Sequence, residues 1–248
     1  GNFDGIHKGH KEIILTGVDI ASWNMENQKV SNLGFLIEYI LKKVPSLERL
    51  RLSSMDVIGF DKKLIELIAD NKRILPHIHL SLQSGDNLIL KRMKRRHLRD
   101  DAIDLCNKLK QVRPEISFGA DLIVGFPTET QEMFQNTLNL VEECQLDWIH
   151  AFPFSPRPGT PAARMPQNDT KIIKQRSKIL REIALKRKSR YLESLVGKNV
   201  EVFVEKNNKG YSNQFAPIKL VEKDIESGQT IIAFIKSSDE NFAHGVAI

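Results

Sequence analysis

The residues best equipped for chemistry lie in one run, Pro76 to Arg96, PHIHLSLQSGDNLILKRMKRR. Ile78, Leu80 and Leu82 alternate with His77, His79 and Ser81, the period of two expected of a half-buried strand. The strand ends in the polar triplet Gln83-Ser84-Gly85, and a short amphipathic helical turn follows (Leu88, Ile89, Met93). Five cations come next, Lys91, Arg92, Lys94, Arg95 and Arg96, with no acid before Asp100. Polar groups delivered at the C-terminal end of a strand, with cations beside them, are how an α/β barrel builds a site for a charged ligand.

Such a site needs neighbouring strands. EIILTG, ERLRLSS, ISFGADLIVGF and DWIHAFPFS read as strands, and LGFLIEYILKKV (Leu33–Val44), DKKLIELIAD, RDDAIDLCNKLKQV and TQEMFQNTLNLVEEC as helices between them. Thr128 or Thr130 is the expected N-cap of the last helix. Strands alternating with helices predict an α/β fold with a largely parallel sheet, apolar on both faces. Ligands sit at the C-terminal strand ends of such sheets. Those ends read Thr16-Gly17, Ser53-Ser54, Gln83-Ser84-Gly85, Gly125-Phe126-Pro127 and Ser155-Pro156-Arg157, small, polar or glycine-rich almost throughout.

Asn168 to about Val196 is a long helix without Gly or Pro. Residues 171–190 hold nine Lys or Arg against the single acid Glu182, which suits either a solvated face or a surface that tracks phosphates. After Gly197 the runs EVFVEK, FAPIKLV and TIIAFIK alternate with turn residues, the pattern of a small antiparallel barrel.

The 248 residues carry a formal charge of +6, with 41% hydrophobic and 27% charged residues, an ordinary globular balance. No apolar run is long enough for a membrane span and no signal peptide is visible, so a cytoplasmic protein without a membrane partner is expected. The two cysteines, Cys106 and Cys144, fall in helical patterns and lack ligand spacing, which predicts buried thiols, no disulfide and no metal site. The chain begins with Gly1 rather than Met, and a trimmed piece of something longer is expected.

Residues 1–10, GNFDGIHKGH, are similar to the phosphate-handling signature of the nucleotidyltransferases that make FAD, in which two histidines (here His7 and His10) hold ATP phosphates at a helix N-terminus. Here the preceding strand is missing and a β-rich stretch follows, so the motif lacks its structural context.

From residue 11 onward the chain resembles the radical-SAM tRNA methylthiotransferases, through LTGVDIASW, RLSSMD, HLSLQSGDNLILKRMKRR, GADLIVGFPTET and FPFSPRPGTPAARMP. The later segments GKNVEVFVE and GYSNQFAPIKL resemble the TRAM domain of that family, and the RLSS and HLSLQSG forms look most like the branch acting on threonylcarbamoyladenosine beside the anticodon. The resemblance implies a partial TIM-like radical-SAM barrel over 11–196, a TRAM barrel over 197–248, and a leading decapeptide or junction over 1–10. It also implies S-adenosylmethionine and 4Fe-4S clusters as cofactors, and the tRNA anticodon stem-loop, not DNA, as partner. Carried over residue by residue, Thr16 and Gly17 would meet the methionine amino group. Gln83 and Ser84 would lie near the ribose or carboxylate, and Ile123 and Gly125 along the adenine. Lys91, Arg92, Lys94, Arg95, Arg96, Arg187, Lys188 and Arg190 would face RNA.

One departure is severe. The family holds its radical cluster on a C-x-x-x-C-x-x-C loop, and thiolates are the required ligands. This sequence has no such loop, and its two cysteines have the wrong spacing to substitute. The expectation is therefore a chain that binds no cluster itself, its missing N-terminal portion supplying that part, or else a cluster-free RNA-binding remnant. A lesser departure is Thr128, where the family usually has glycine.

Overall fold

The computed structural model describes residues 11–17, 20, 32–221 and 225–248. The decapeptide with His7 and His10 lies outside the described residues. Five strands, β1 (Glu12–Leu15), β2 (Arg49–Met55), β3 (Ile74–Gln83), β4 (Ser117–Val124) and β5 (Leu146–Pro153), form one sheet in sequence order. Every pairing is parallel. Helices α1 (Leu33–Lys43), α2 (Lys62–Asp70), α3 (Asn87–Arg92), α4 (Arg99–Val112) and α5 (Gln131–Glu143) fill the connections, and α6 (Thr170–Glu193) follows β5.

Capping fixes where the helices begin. The side chains of Asn32, Asp61, Asp86, Thr130 and Asp169 each accept a backbone N–H of the first turn that would otherwise lack a partner. Of the two threonines expected to start α5, it is Thr130 that does so, accepting from the Met133 amide at 3.2 Å.

The helices cover one face of the sheet. There Leu50, Ile78, Leu80, Phe118 and Leu122 pack against Ile37, Leu64, Leu109 and Leu140 in one buried cluster. Each such side chain contributes roughly 1.5–3 kcal/mol by leaving water. Among the described residues β1 pairs with β2 alone and β5 with β4 alone, so the sheet is an incomplete barrel wall.

The C-terminal strands β6 (Asn199–Val204), β7 (Lys209–Ser212), β8 (Pro217–Leu220), β9 (Thr230–Ser238) and β10 (Ala243–Ala247) close into a small barrel, order β10-β8-β7-β6-β9. Its pairings are antiparallel except β8 with β10, which run parallel and complete the closure. Closure leaves no free edge. Helix α6 ties the two sheets together, with Leu180 in the core of the first and Leu192 in the core of the second.

The strand at His77 and His79 is not half-buried as its alternation predicts. Both histidines are covered, at 4% and 9% exposure. The cover is the β7–β8 turn of the small barrel, which reaches across the other face of the sheet. His77 stacks on Phe215 at 5.0 Å, and Ser117 Oγ and Trp148 Nε1 donate to the Gln214 carbonyl at 2.8 and 3.1 Å.

Candidate functional site

At the C-terminal strand ends the backbone leaves ordinary geometry. Ser54, Gln83 and Thr128 sit at φ 57°, 67° and 66°, and Gly125 at 75°. Side chains at positive φ cost energy, and they persist only where the surroundings hold them. Between the ends of β2 and β3 lies a polar cavity of about 340 Å3, lined by Ser54, Asp56, Ser81, Lys94, Arg95 and Arg96. Arg95 Nη2 binds Asp56 Oδ2 at 3.2 Å and the Ser81 carbonyl at 2.9 Å, and Arg96 lies 3.5 Å from the same carboxylate. Burial acts to raise the Asp56 carboxyl, but His97 and Arg95 beside it prevail and hold it at about 2. The pocket thus offers a fixed anion, several cations and hydroxyls, a chemistry suited to a zwitterionic ligand.

Of the expected site residues Lys94, Arg95 and Arg96 line this pocket, and the six expected along the cofactor do not. Thr16 and Gly17 follow β1 in exposed positions, and Gln83 and Ile123 are half-buried at the ends of β3 and β4. Ser84 is turned away into the helix layer: it is 1% exposed, its Oγ lies 3.4 Å from Thr137 Oγ1 and accepts the Asp86 amide. The space that a side chain at Gly125 would need is filled by Ile173 of α6, 2.5 Å from where its Cβ would stand. Its glycine serves the left-handed turn and the close approach of α6.

The cations divide in the same way. Lys91 and Lys94 are exposed, whereas Arg92 Nη1 donates to Thr128 Oγ1 at 2.5 Å, and Arg95 and Arg96 hold Asp56. Of the α6 residues, Arg190 is exposed and Lys188 lines a groove, but Arg187 clamps the Leu146 carbonyl at 2.7 Å with Glu142 and Asp147. Arg176 is also buried, on Glu129 at 2.6 Å. Two of the nine cations in that run are therefore structural.

Sequence reasoning missed the polar row across the inner face of the sheet. His79 Nε2 and His150 Nδ1 both meet Asp121 Oδ1, at 3.0 and 3.1 Å. Burial would raise Asp121, yet the two imidazoles hold it well below the usual carboxylate range, and Asp121 in turn raises His150. Each residue occupies the inward parity of its strand, on the face that also carries His77 and Ser117, and that parity was the available signal.

The two cysteines do not fit an iron–sulfur cluster. Cys106 on α4 and Cys144 at the end of α5 are each 1% exposed, inside the apolar helix-side core. A hydrogen bond to Cys144, then burial, pushes the Cys106 thiol well up, away from the thiolate that iron requires. Both are free thiols.

Comparison with known proteins gives this geometry a family. The Radical SAM superfamily model matches residues 3–141. The threonylcarbamoyladenosine tRNA methylthiotransferase MtaB of Rickettsia prowazekii is 46% identical over 241 residues, 97% of this chain and 57% of that protein. MtaB of Thermotoga maritima is 39% identical, over 81% of this chain and 46% of its own length. The tRNA-2-methylthio-N(6)-dimethylallyladenosine synthase of Ehrlichia chaffeensis is 35% identical, over 83% of this chain and 47% of its own length. The chain thus spans about half the length of the curated relatives it matches. It belongs to the radical SAM superfamily, whose cofactors are S-adenosylmethionine and a 4Fe-4S cluster, and within it to the MtaB-like tRNA methylthiotransferase family.

Proposed function

We propose that this chain is the part of a tRNA methylthiotransferase that holds S-adenosylmethionine and grips the anticodon stem-loop, in an enzyme that methylthiolates threonylcarbamoyladenosine. The observation that carries this is the polar pocket at the strand ends, where Ser54, Asp56 and Arg95 meet backbone held in unusual conformations. The ammonium and carboxylate of the methionine moiety suit Asp56 and Arg95. Gln83 and Ile123 flank the path for ribose and adenine. When bound, the cofactors supply radical chemistry. No cysteine of this chain is available to the cluster, so its ligands come from a portion of the enzyme outside this sequence.

In this reading residues 11–196 form the cofactor-binding unit and 197–248 a TRAM-like unit that shares the RNA. Between α6, β5 and the small barrel lies a groove of about 520 Å3 whose wall includes Trp148, Arg181, Lys188, Tyr211 and Phe242. Cations beside aromatic faces bind single-stranded nucleotides by charge and stacking. With Arg190 this makes a surface for an RNA loop, while Lys91 and Lys94, at the other end of the sheet, would meet a different part of the same RNA. The burial of both cysteines favours a second reading, a cluster-free RNA-binding protein.

Calorimetric titration with S-adenosylmethionine separates the two. The enzyme reading expects binding that Arg95→Ala weakens at least about tenfold, since a charged hydrogen bond contributes roughly 1.5–3 kcal/mol. The RNA-only reading expects no heat. Both expect tRNA affinity that falls with salt, with a slope reduced by roughly 1 for each of Lys91 and Lys94 changed to Ala. An unchanged slope removes that surface from the footprint. Anaerobic treatment with iron and sulfide should leave the chain without a cluster chromophore.

A further inference from the structure

Three side chains that the strand-end pocket does not use converge on the inner face of the sheet: His79 of β3, Asp121 of β4 and His150 of β5. One donor atom from each lies within 4.8 Å of the others. The register explains how they meet. His79 is paired with Gly119, and Asp121 with His150. His79 must therefore reach diagonally over β4 to Asp121, and it does so because Gly119 has no side chain. A Cβ there would stand 2.4 Å from His79 Nδ1. The imidazoles face each other at 4.8 Å between centroids, tilted by 37°.

We propose that His79, Asp121 and His150 form a three-ligand site for a divalent first-row transition ion of the Zn2+ or Fe2+ type. Two imidazole nitrogens and a carboxylate oxygen are the donor set that borderline ions prefer, with the remaining position open. Metal–ligand bonds of about 2.0–2.1 Å in a tetrahedral arrangement separate neighbouring donors by roughly 3.3 Å. The separations of 3.0 and 3.1 Å around Asp121 Oδ1 need only a few tenths of an ångström of adjustment, and the two imidazole nitrogens, within 4.8 Å of each other, close the third edge by rotation of the exposed His150 ring. All three ligands stand on strands, so the triangle is set by rigid elements rather than loops. Burial is graded across it: the His79 side chain is 11% exposed, that of Asp121 26% and that of His150 61%, which gives the ion an entry on the His150 side. The site asks for no thiolate and no sulfide, and it does not depend on how the chain engages tRNA or S-adenosylmethionine. Iron bound here would appear in excess over any iron–sulfur cluster.

The test is equilibrium dialysis of the chelator-treated 248-residue chain against Zn2+, with elemental analysis, and Co2+ titration followed by its visible d–d bands. We expect close to one equivalent of bound zinc and a cobalt spectrum of low coordination number. His79→Ala, Asp121→Asn and His150→Gln should each weaken binding by at least about tenfold. His150 is exposed, so His150→Gln keeps the fold, which circular dichroism verifies. Gly119→Ala should weaken binding by displacing the His79 ring. His244→Gln, which removes the exposed His244–Asp239 pair of the small barrel, should change nothing. Zinc content equal in wild type and His150→Gln, or lost equally in His244→Gln, overturns the proposal, as does an absence of bound metal.

Discussion

The two ends of the inner sheet face use the same residue types to opposite purposes. At the N-terminal end Arg49 and Arg51 have side chains only 3% and 2% exposed. Glu12 takes one bond from each, at 2.6 and 2.7 Å. Glu201, the Asn213 side chain and the carbonyls of Ser212 and Asn213 take most of the rest. Phe215 sits at φ 66°, held between His77 and Tyr211 with the Arg51 guanidinium 5.2 Å from its ring. At the C-terminal end the cations surround a cavity instead, with Lys91 and Lys94 exposed and Asp56 shared by Arg95 and Arg96. A cation whose donors are matched by protein oxygens is part of the frame. One left facing solvent beside strained backbone is available to a ligand. The small barrel therefore serves as the floor of the first sheet as well as a surface of its own.

The largest effect is expected at the floor. Arg51→Met leaves the Asn213 carbonyl and one oxygen of Glu12 without their donor in a buried place, and the Ser212 carbonyl with the Phe215 amide alone, at a cost of about 3–5 kcal/mol. Lys94→Ala at the other end should change stability by less than about 0.5 kcal/mol. Urea denaturation followed by circular dichroism measures both. A loss under about 1 kcal/mol for Arg51→Met would dissolve the distinction between the two ends.

The floor should also loosen in mild acid. Burial, and then the charge of Arg51, hold His77 well below the ordinary imidazole range. The unfolded chain takes up this proton near pH ~6.5 while the folded chain refuses it. Stability is thus fully present above that pH and falls as pH drops, by at most about 1.4 kcal/mol per unit. His150, raised by Asp121, and Asp147, raised to about 6 by burial, act with the opposite sign, each losing stability as pH rises. The informative quantity is the difference between wild type and His77→Asn, which keeps a polar atom near Ser117 Oγ. That difference should shrink from pH 7 to pH 5. If it is constant, His77 is not the proton-sensitive link.

Much of this frame is legible in the sequence, because period-two apolar runs and capped amphipathic helices are local signals. The five parallel strands and the helices between them follow from such patterns. The floor is not legible. Nothing local singles out Arg49 and Arg51 within ERLRLSS, since Ser212 and Asn213, which accept from them, lie about 160 residues further on. Two of the small barrel strands, Lys209–Ser212 and Ala243–Ala247, are too short and too polar to stand out. Asp121 hides in the apolar run GADLIVGF, and only the parallel register sets it beside His150. In the cation cluster, residue type predicted a charged surface, but engagement by Asp56 and Thr128 decides which members are free.

Thr128 gives the finest test of the strained end. Its φ of 66° is unfavourable for a β-branched residue, and glycine is the residue such a turn favours. The threonine is held by its Oγ1, which accepts from Arg92 and donates to the Pro127 carbonyl. Thr128→Ala and Thr128→Gly both remove those bonds, so the difference between them isolates the backbone. In an extended or helical position alanine is the more stable of the two, by roughly 0.5–1 kcal/mol. At this left-handed position the order should reverse, with glycine ahead by about 1 kcal/mol. Thermal unfolding of the two variants side by side measures the sign directly. Alanine ahead would mean that the loop after β4 carries no backbone strain, and Ser54 and Gln83 would then lose their value as markers of the ligand end.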